Sequence, residues 1–323
     1  MKKITVALLS GGISSEREVS KKSGDQVYDA LDKTKYDVIR YDPGSDLLRL
    51  VSDSADIDVA LIILHGQYGE DGTVQGLLDL LDIPYQGSGV LGSAVAMNKL
   101  AAKQLYEKSG LPVPPYMVIK KGDPVDPETC EKRLGMPLVI KPVSGGSSIG
   151  VSIVKSGEFF MEAVKTAFTY DDTLLIEAFI KGVEITGAVI GNDKLEALPI
   201  VEIIPDKNFE FFDYTAKYTA GATREICPAR IDESLEVKAR EYAKTAHRAL
   251  FCRGYSRTDM ILDGKDIYLL ETNTIPGMTA TSLLPRAAQT AGIPFGRLLE
   301  MLIDLGMEGR DKKPDKKKTL TGE

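Results

Sequence analysis

Tryptophan is absent from the 323-residue chain, histidine occurs twice and cysteine three times. Cys130, Cys227 and Cys252 are odd in number, widely spaced and never in a C-x-x-C pair. They support neither a disulfide framework nor a cysteine-based zinc site, and fit a reducing, cytoplasmic setting. No apolar run reaches the length of a transmembrane helix. The one run near the start, Ile4 to Leu9, is short and ends at Ser10-Gly11-Gly12, so it reads as a first buried strand rather than a signal peptide. Acidic side chains outnumber basic ones, 47 to 40. The net charge is −7, and residues 310–323, with six basic and three acidic side chains, leave −10 on residues 1–309. A body so acidic is a poor nucleic-acid binder. The Lys-rich end lacks apolar periodicity and is expected to be a basic disordered tail.

What remains is a chain with the composition of a globular enzyme, long enough for two or three domains. Ile4–Leu9 and Val59–Leu64 are apolar runs that end in small or polar residues, as parallel strands feeding helices do. Between them, Ser15-Glu16-Arg17-Glu18 matches a capping box, and Val27, Ala30 and Leu31 supply a helical apolar face. A helix is expected from Ala96 to Ser109, stopped by Gly110 and a proline-rich segment. Short strands follow at Leu138–Pro142, Val151–Val154 and Leu174–Ile180, then a strand from Glu184 and a helix over 232–251. Pro205 to Cys227 reads as one long loop with five aromatic residues, the kind usually kept as a lid; a pair of edge strands is the alternative.

Two adjacent segments carry the most chemistry: Arg257-Thr258-Asp259 and Glu271-Thr272-Asn273, joined by apolar runs around Asp263-Gly264-Lys265-Asp266. They predict a β-hairpin, and a three-residue loop, Gly264-Lys265-Asp266, would set Asp259 opposite Glu271. Two carboxylates and an amide on an apolar hairpin suit a hard cation such as Mg²⁺; a solvated charged sheet face is the alternative. Ser144 to Ser152 is a Gly/Ser-rich stretch that suits a phosphate cradle, although Val151 stands where a Walker loop needs lysine. Lys141 and Lys99 would supply that charge. Glu177-Ala178-Phe179-Ile180 ends a strand where backbone groups can pair with a purine edge, with Glu184 placed for a ribose hydroxyl; a structural hinge explains it equally well. His65 ends a buried strand beside Gly66, whereas His247 sits in a helical run and reads as structural.

Together these segments resemble the D-alanine–D-alanine ligase family of the ATP-grasp superfamily. The resemblance rests on Gly11 to Ser20, His65 to Gly72, Gly87 to Val90, Lys141-Pro142 with Gly145 to Ser148, Asp213-Tyr214 with Ala216-Lys217-Tyr218, Arg257 to Asp259, and Glu271 to Thr279. They run collinearly over residues 4–306. Departures are mild: Asn98 stands where Asp is usual, and Thr272 where Val or Ala is common. The resemblance implies an α/β ATP-grasp fold of three domains. These are an N-terminal substrate-binding domain with a doubly wound parallel sheet (1–96), a small central α+β lid subdomain (97–183), and a C-terminal α+β subdomain with the metal site (184–309), before the tail at 310–323.

It further implies a cytoplasmic, ATP-dependent ligase that joins two D-alanine molecules through a D-alanyl phosphate, for peptidoglycan precursors. Another ATP-grasp carboxylate–amine ligase, or a D-lactate or D-serine ligase, is the alternative. Such chemistry needs fixed cations rather than a nucleophilic side chain, and the sequence has no Ser/His/Asp order. By resemblance, Asp259, Glu271 and Asn273 hold two Mg²⁺ ions, with Mn²⁺ a substitute and K⁺ an activator in some members. Lys99, Lys141 and Lys217 meet the phosphates under Ser147. Glu177, Ala178, Phe179, Ile180 and Glu184 hold adenosine. Arg257 and the Gly277 N–H form an oxyanion site, and Glu16, His65, Ser282 and Leu283 bind the two D-alanines. Glu16, Ser148 and Tyr218 close the lid. The expected partners are D-alanine, ATP and a second copy of the chain, with no nucleic acid and no membrane.

Overall fold

β1 (Ile4–Leu9) lies between β2 (Tyr36–Tyr41) and β3 (Val59–Ile62), parallel to both. Its continuous apolar run follows from burial on both faces. Val6 and Leu8 pack toward α1 (Arg17–Ala30), while Ala7 and Leu9 pack toward Leu50, Val74 and Leu78. The computed structural model describes residues 2–146, 149–205 and 223–308. Among the described residues no helix is long and apolar enough to cross a membrane. The chain continues through α2 (Leu47–Ser52), α3 (Thr73–Leu80), α4 (Val90–Met97) and α5 (Lys99–Lys108).

A second sheet is antiparallel, in the order β4 (Tyr116–Lys120), β7 (Thr173–Ala178), β5 (Leu138–Pro142), β6 (Ser152–Val154). α6 (Pro127–Leu134) and α7 (Phe160–Ala167) bury Cys130, Phe160 and Val164 with its Leu138, Ile140 and Ile176. The third sheet runs β11 (Thr223–Ile226), β10 (Val201–Pro205), β8 (Val183–Gly191), β12 (Gly254–Asp263), β13 (Asp266–Asn273), with the short β9 (Glu196–Ala197) beside β8. α8 (Glu233–Ala249) lies on it.

The cores do not follow chain order. Ala102 and Tyr106 of α5 are buried with Met260, Leu269 and Ala246 of the third sheet and its helix. The last helices, α9 (Leu283–Thr290) and α10 (Phe295–Met307), return to the first sheet, where Leu298, Leu299 and Leu302 meet Val6, Leu8 and Leu61.

Several local expectations are corrected. Ser15 forms no capping box: α1 starts at Arg17 with Glu16 at the cap and no side-chain cap bond, because Ser14 and not Ser15 bonds the Glu16 N–H. The helix expected from Ala96 is two helices broken at Asn98, whose Oδ1 accepts the Ala101 N–H at 2.9 Å, and the stop at Gly110 has φ +75°. β2 and β4 were not anticipated. The Pro205–Cys227 segment is framed by paired strands, with Pro205 opposite Thr223, so only residues 206–222 connect them, and these lie outside the described residues. The tail at 310–323 lies outside them too.

Because α10 closes the first core, Leu302→Ala should lower the stability of the whole chain by about 2–5 kcal/mol, the range for a leucine-sized cavity. Denaturant unfolding followed at a probe in residues 4–62 would check it. An unchanged midpoint would mean the helix is merely laid on the surface.

Candidate active site

The C-terminal ends of β1 and β3 deliver two loops to one cleft. Gly11 and Gly12 adopt φ of +99° and +78°, and the Gly12 N–H and the Arg17 guanidinium both bond Asp42. That anchor turns Glu16 inward, where it is buried and its Oε2 lies 2.9 Å from where a Cβ on Gly66 would stand. The Ser14 hydroxyl donates to His65 O at 2.7 Å, tying the two loops together. Burial, with Arg257 nearby, lowers the basicity of His65 despite the opposing pull of Glu16, so the ring is neutral, and its Nε2 has no protein partner among the described residues. Glu70 accepts the Gly66 N–H at 2.7 Å. Burial first, then the Glu16 charge, pushes its carboxyl up to about 8.

The β12–β13 hairpin places Arg257 opposite Asn273 and Asp259 opposite Glu271. The route to that register differs from expectation. The loop has two residues, Gly264 and Lys265, between the paired Asp263 and Asp266, and a bulge between Asp259 and Met260 supplies the missing residue on β13. The bulge lets Ile267, Leu269 and Thr272 all be buried while Leu270 and Glu271 both line the cleft. Arg257 donates two bonds to Asp259, Nε to Oδ1 at 2.8 Å and Nη2 to Oδ2 at 2.7 Å, and Thr186 donates to the same Oδ1 at 2.6 Å. Burial alone would lower the Arg257 pKa, but the Asp259 carboxylate more than offsets it. Two of five guanidinium N–H groups are thereby used. Lys99 Nζ lies 3.9 Å from Glu271.

Two adjoining cavities open on these groups. The larger, about 520 Å³, is lined by Glu16, His65, Arg257, Gly277, Ser282 and Leu283, together with Glu70 and Asn273. Ser282 Oγ accepts the Thr279 N–H at 3.1 Å and is held beside Gly277. The smaller, about 160 Å³, is lined by Lys141, Glu177, Ala178, Phe179, Ile180, Glu184 and Asp259. Lys99, Gly146 and Glu271 line both. Those of the expected substrate, nucleotide and metal residues that are described are therefore brought to one cleft in separate compartments, with Glu271 at the join and Asp259 in the smaller. Lys141 and Glu177 are not simply open to a ligand: Lys141 Nζ pairs with Glu177 at 2.9 Å. Ser147, Ser148, Asp213, Tyr214, Lys217 and Tyr218 lie outside the described residues.

Three residues, one lining the cleft and two behind it, escaped the sequence reading. Glu70 sits within the His65–Gly72 motif, so its position was signalled but its acid was not. Lys103, buried beside Glu177, left one signal, a lysine four residues after Lys99 on an apolar helix face, which gives no hint of its partner. Nothing in the sequence marks Thr186. His247, bonded through Nδ1 to Ser256 Oγ at 2.8 Å and lowered to about 4 by burial, lines neither cavity.

Glu70 gives a pH signature. Its folded pKa lies above the ordinary 4.5, so the native state keeps a proton that the unfolded chain releases. The ligand-free protein should lose stability as pH rises from 4.5 to about 8, and Glu70→Gln should flatten that slope. Urea denaturation at a series of pH values checks it; the same slope in the variant would remove Glu70 as its source.

The chain matches the family models for the D-ala D-ala ligase C-terminus over residues 105–304 and the D-ala D-ala ligase N-terminus over 42–88. It is 62% identical over 306 residues to a D-alanine–D-alanine ligase of Syntrophobacter fumaroxidans, covering 95% of this chain and 98% of the relative. It is 52% identical over 309 residues to that of Desulfotalea psychrophila, covering 95% and 96%. Among solved structures, it resembles the D-alanine–D-alanine ligase from Bacillus anthracis complexed with ATP, with a TM-score of 0.84, 35% identity and coverage of 96% and 100%. It also resembles the VanG D-Ala:D-Ser ligase from Enterococcus faecalis, with a TM-score of 0.81, 32% identity and coverage of 94% and 100%.

Proposed function

The chain belongs to the D-alanine–D-alanine ligase family and has its ATP-grasp fold, and from that premise we propose that it joins two D-alanine molecules at the expense of ATP. The observation that carries this reading is the pair of cavities meeting at Lys99 and Glu271, one lined by amino-acid-sized polar groups and one by an apolar slot with lysines. A carboxylate oxygen of the first D-alanine attacks the γ-phosphorus, ADP leaves, and a D-alanyl phosphate forms. The amine of the second D-alanine then attacks the acyl carbon, loses a proton, and inorganic phosphate leaves.

Glu16, buried beside His65, receives the ammonium of the first substrate. Arg257, locked by Asp259 with three N–H donors left, and the Gly277 N–H stabilise the oxyanion of the tetrahedral intermediate. Ser282 and Leu283, at the start of α9, receive the second substrate's carboxylate. Lys99 and Lys141 meet the phosphates, and the β7 end with Glu184 holds adenosine. By the family resemblance, Lys217 would join the phosphate-facing lysines under Ser147, and Tyr218 with Glu16 and Ser148 would close the lid; Lys217, Tyr218, Ser147 and Ser148 lie outside the described residues.

Asp259, Glu271 and Asn273 suit Mg²⁺: they present carboxylate and amide oxygens from facing strands, with no sulfur or imidazole among them. When bound, Mg²⁺ neutralises the β- and γ-phosphate oxygens. The protein acts in the cytoplasm, making the dipeptide for peptidoglycan precursor synthesis. It dimerises through its N-terminal domain, where Leu48, Leu80 and Leu91 are exposed on successive helices.

Phosphate release should require D-alanine and fail with L-alanine. Glu271→Gln should lower kcat by about a hundredfold or more, the loss typical of removing one preorganised electrostatic group. D-alanine-independent turnover would sink the assignment, and full turnover of the variant at limiting Mg²⁺ would sink the metal role of the hairpin.

A further inference from the structure

α5 carries Lys99, Lys103 and Tyr106 at spacings of four and three, which puts them on one helix face. Each reaches a different element around the two cavities: Gly145 and Thr272 line the larger, Glu177 the smaller. Lys99 Nζ donates to Gly145 O at the start of the Gly/Ser loop. Tyr106 donates to Thr272 Oγ1 at 2.7 Å on the hairpin. Between them, Lys103 Nζ lies 3.0 Å from Glu177 Oε1 on β7, while Lys141 Nζ lies 2.9 Å from Glu177 Oε2. All three charged residues are buried, Lys103 completely. Two ammonium groups thus share one carboxylate out of water, leaving the cluster at +1. Of the two lysines, Lys141 lines the nucleotide cavity and Lys103 does not.

We propose that Lys103 is a positioning residue for nucleotide binding: by taking one oxygen of Glu177, it leaves Lys141 with net positive charge to offer to the polyphosphate. The inference rests on the reading of Lys141 as a phosphate-facing lysine. Without Lys103, Glu177 neutralises Lys141 and the cluster falls to zero. Protonation of the groups agrees with sharing. Burial pulls Lys103 down to about 8 against the attraction of Glu177. Burial pushes Glu177 up, but Lys141 and then Lys103 together hold it below its ordinary value. A lysine that served only to compensate a buried carboxylate would affect every ligand of the cavity alike. One that sets the charge of Lys141 affects only ligands with phosphate.

Calorimetric titration of the full chain with ADP and with adenosine separates these roles. Lys103→Met should lower ADP affinity about tenfold relative to adenosine, as loss of a buried charge-assisted partner does. Lys103→Arg should keep the wild-type ratio. Lys103→Met/Glu177→Gln returns the cluster to +1 with neutral groups of similar shape, so it should restore the ratio, and it remains informative if the single variant does not fold. An unchanged ADP-to-adenosine ratio in Lys103→Met overturns the proposal, as does a double variant that still lacks phosphate preference. Lys141→Met guards the premise. If it leaves the ratio intact, the phosphate role of Lys141 is wrong; if it lowers the ratio while Lys103→Met does not, only the role of Lys103 is.

Discussion

Asp259 and Glu271 face each other across two antiparallel strands, and like charges so opposed destabilise a sheet. Much of the cleft can be read as the means of tolerating that pair. Arg257 grips Asp259 with two bonds from the same strand, Thr186 adds a third from β8, and Lys99 stands 3.9 Å from Glu271. Removing one partner from such a buried set leaves the others uncompensated, which is why the groups belong to one another before any ligand arrives. The bulge that brings Glu271 into register also drops Thr272 into the core, where it meets Thr258 and Tyr106 through hydroxyl bonds of 2.9 and 2.7 Å.

The back of the hairpin is therefore held by α5, and the same helix face holds the Gly/Ser loop and β7. A helix that carries its polar anchors at positions four and three apart moves as one rigid piece, so the lysine at its first turn keeps its distance from the hairpin. Asn98 makes this possible. By capping α5 it breaks the path from α4 and points the new helix across the third sheet, with Lys99 at its first position. Its side chain supplies the oxygen that a cap requires, so the departure from aspartate at this position keeps the local function.

The parts of the fold that were legible in the sequence share one property: their apolar pattern matches their own burial. β1 and β3 are buried on both faces and read as continuous runs, and the hairpin strands showed by their polar punctuation. β2 did not, because Asp37 and Arg40 interrupt it at the sheet edge, and β10 with β11 hid in a segment whose middle has no period. The site was legible where motifs are contiguous. It was not where a residue acts through a distant partner: Thr186 meets Asp259 across 73 positions, and Lys103 meets Glu177 across 74. Register was the subtlest case. A three-residue turn and a two-residue turn with a bulge place Asp259 opposite the same residue, and only the second buries both Leu269 and Thr272.

No single sheet could perform the proposed reaction. In that proposal the first sheet supplies Glu16 and His65 for an amino acid, the second the slot and lysine for a nucleotide, and the third the carboxylates and guanidinium between them. An acyl phosphate formed at that join is consumed by water unless the amine is already beside it. Among the described residues the compartments share Lys99, Gly146 and Glu271, so in the proposed reaction the nucleotide's terminal phosphate and both amino acids would meet there. The shared cores reinforce this: α5 fastens the second segment to the third sheet, and α10 fastens the third to the first. The energy that aligns the reactants is then spent during folding, before substrate binds, and what remains for the ligands is to close a space whose charged walls already stand in place.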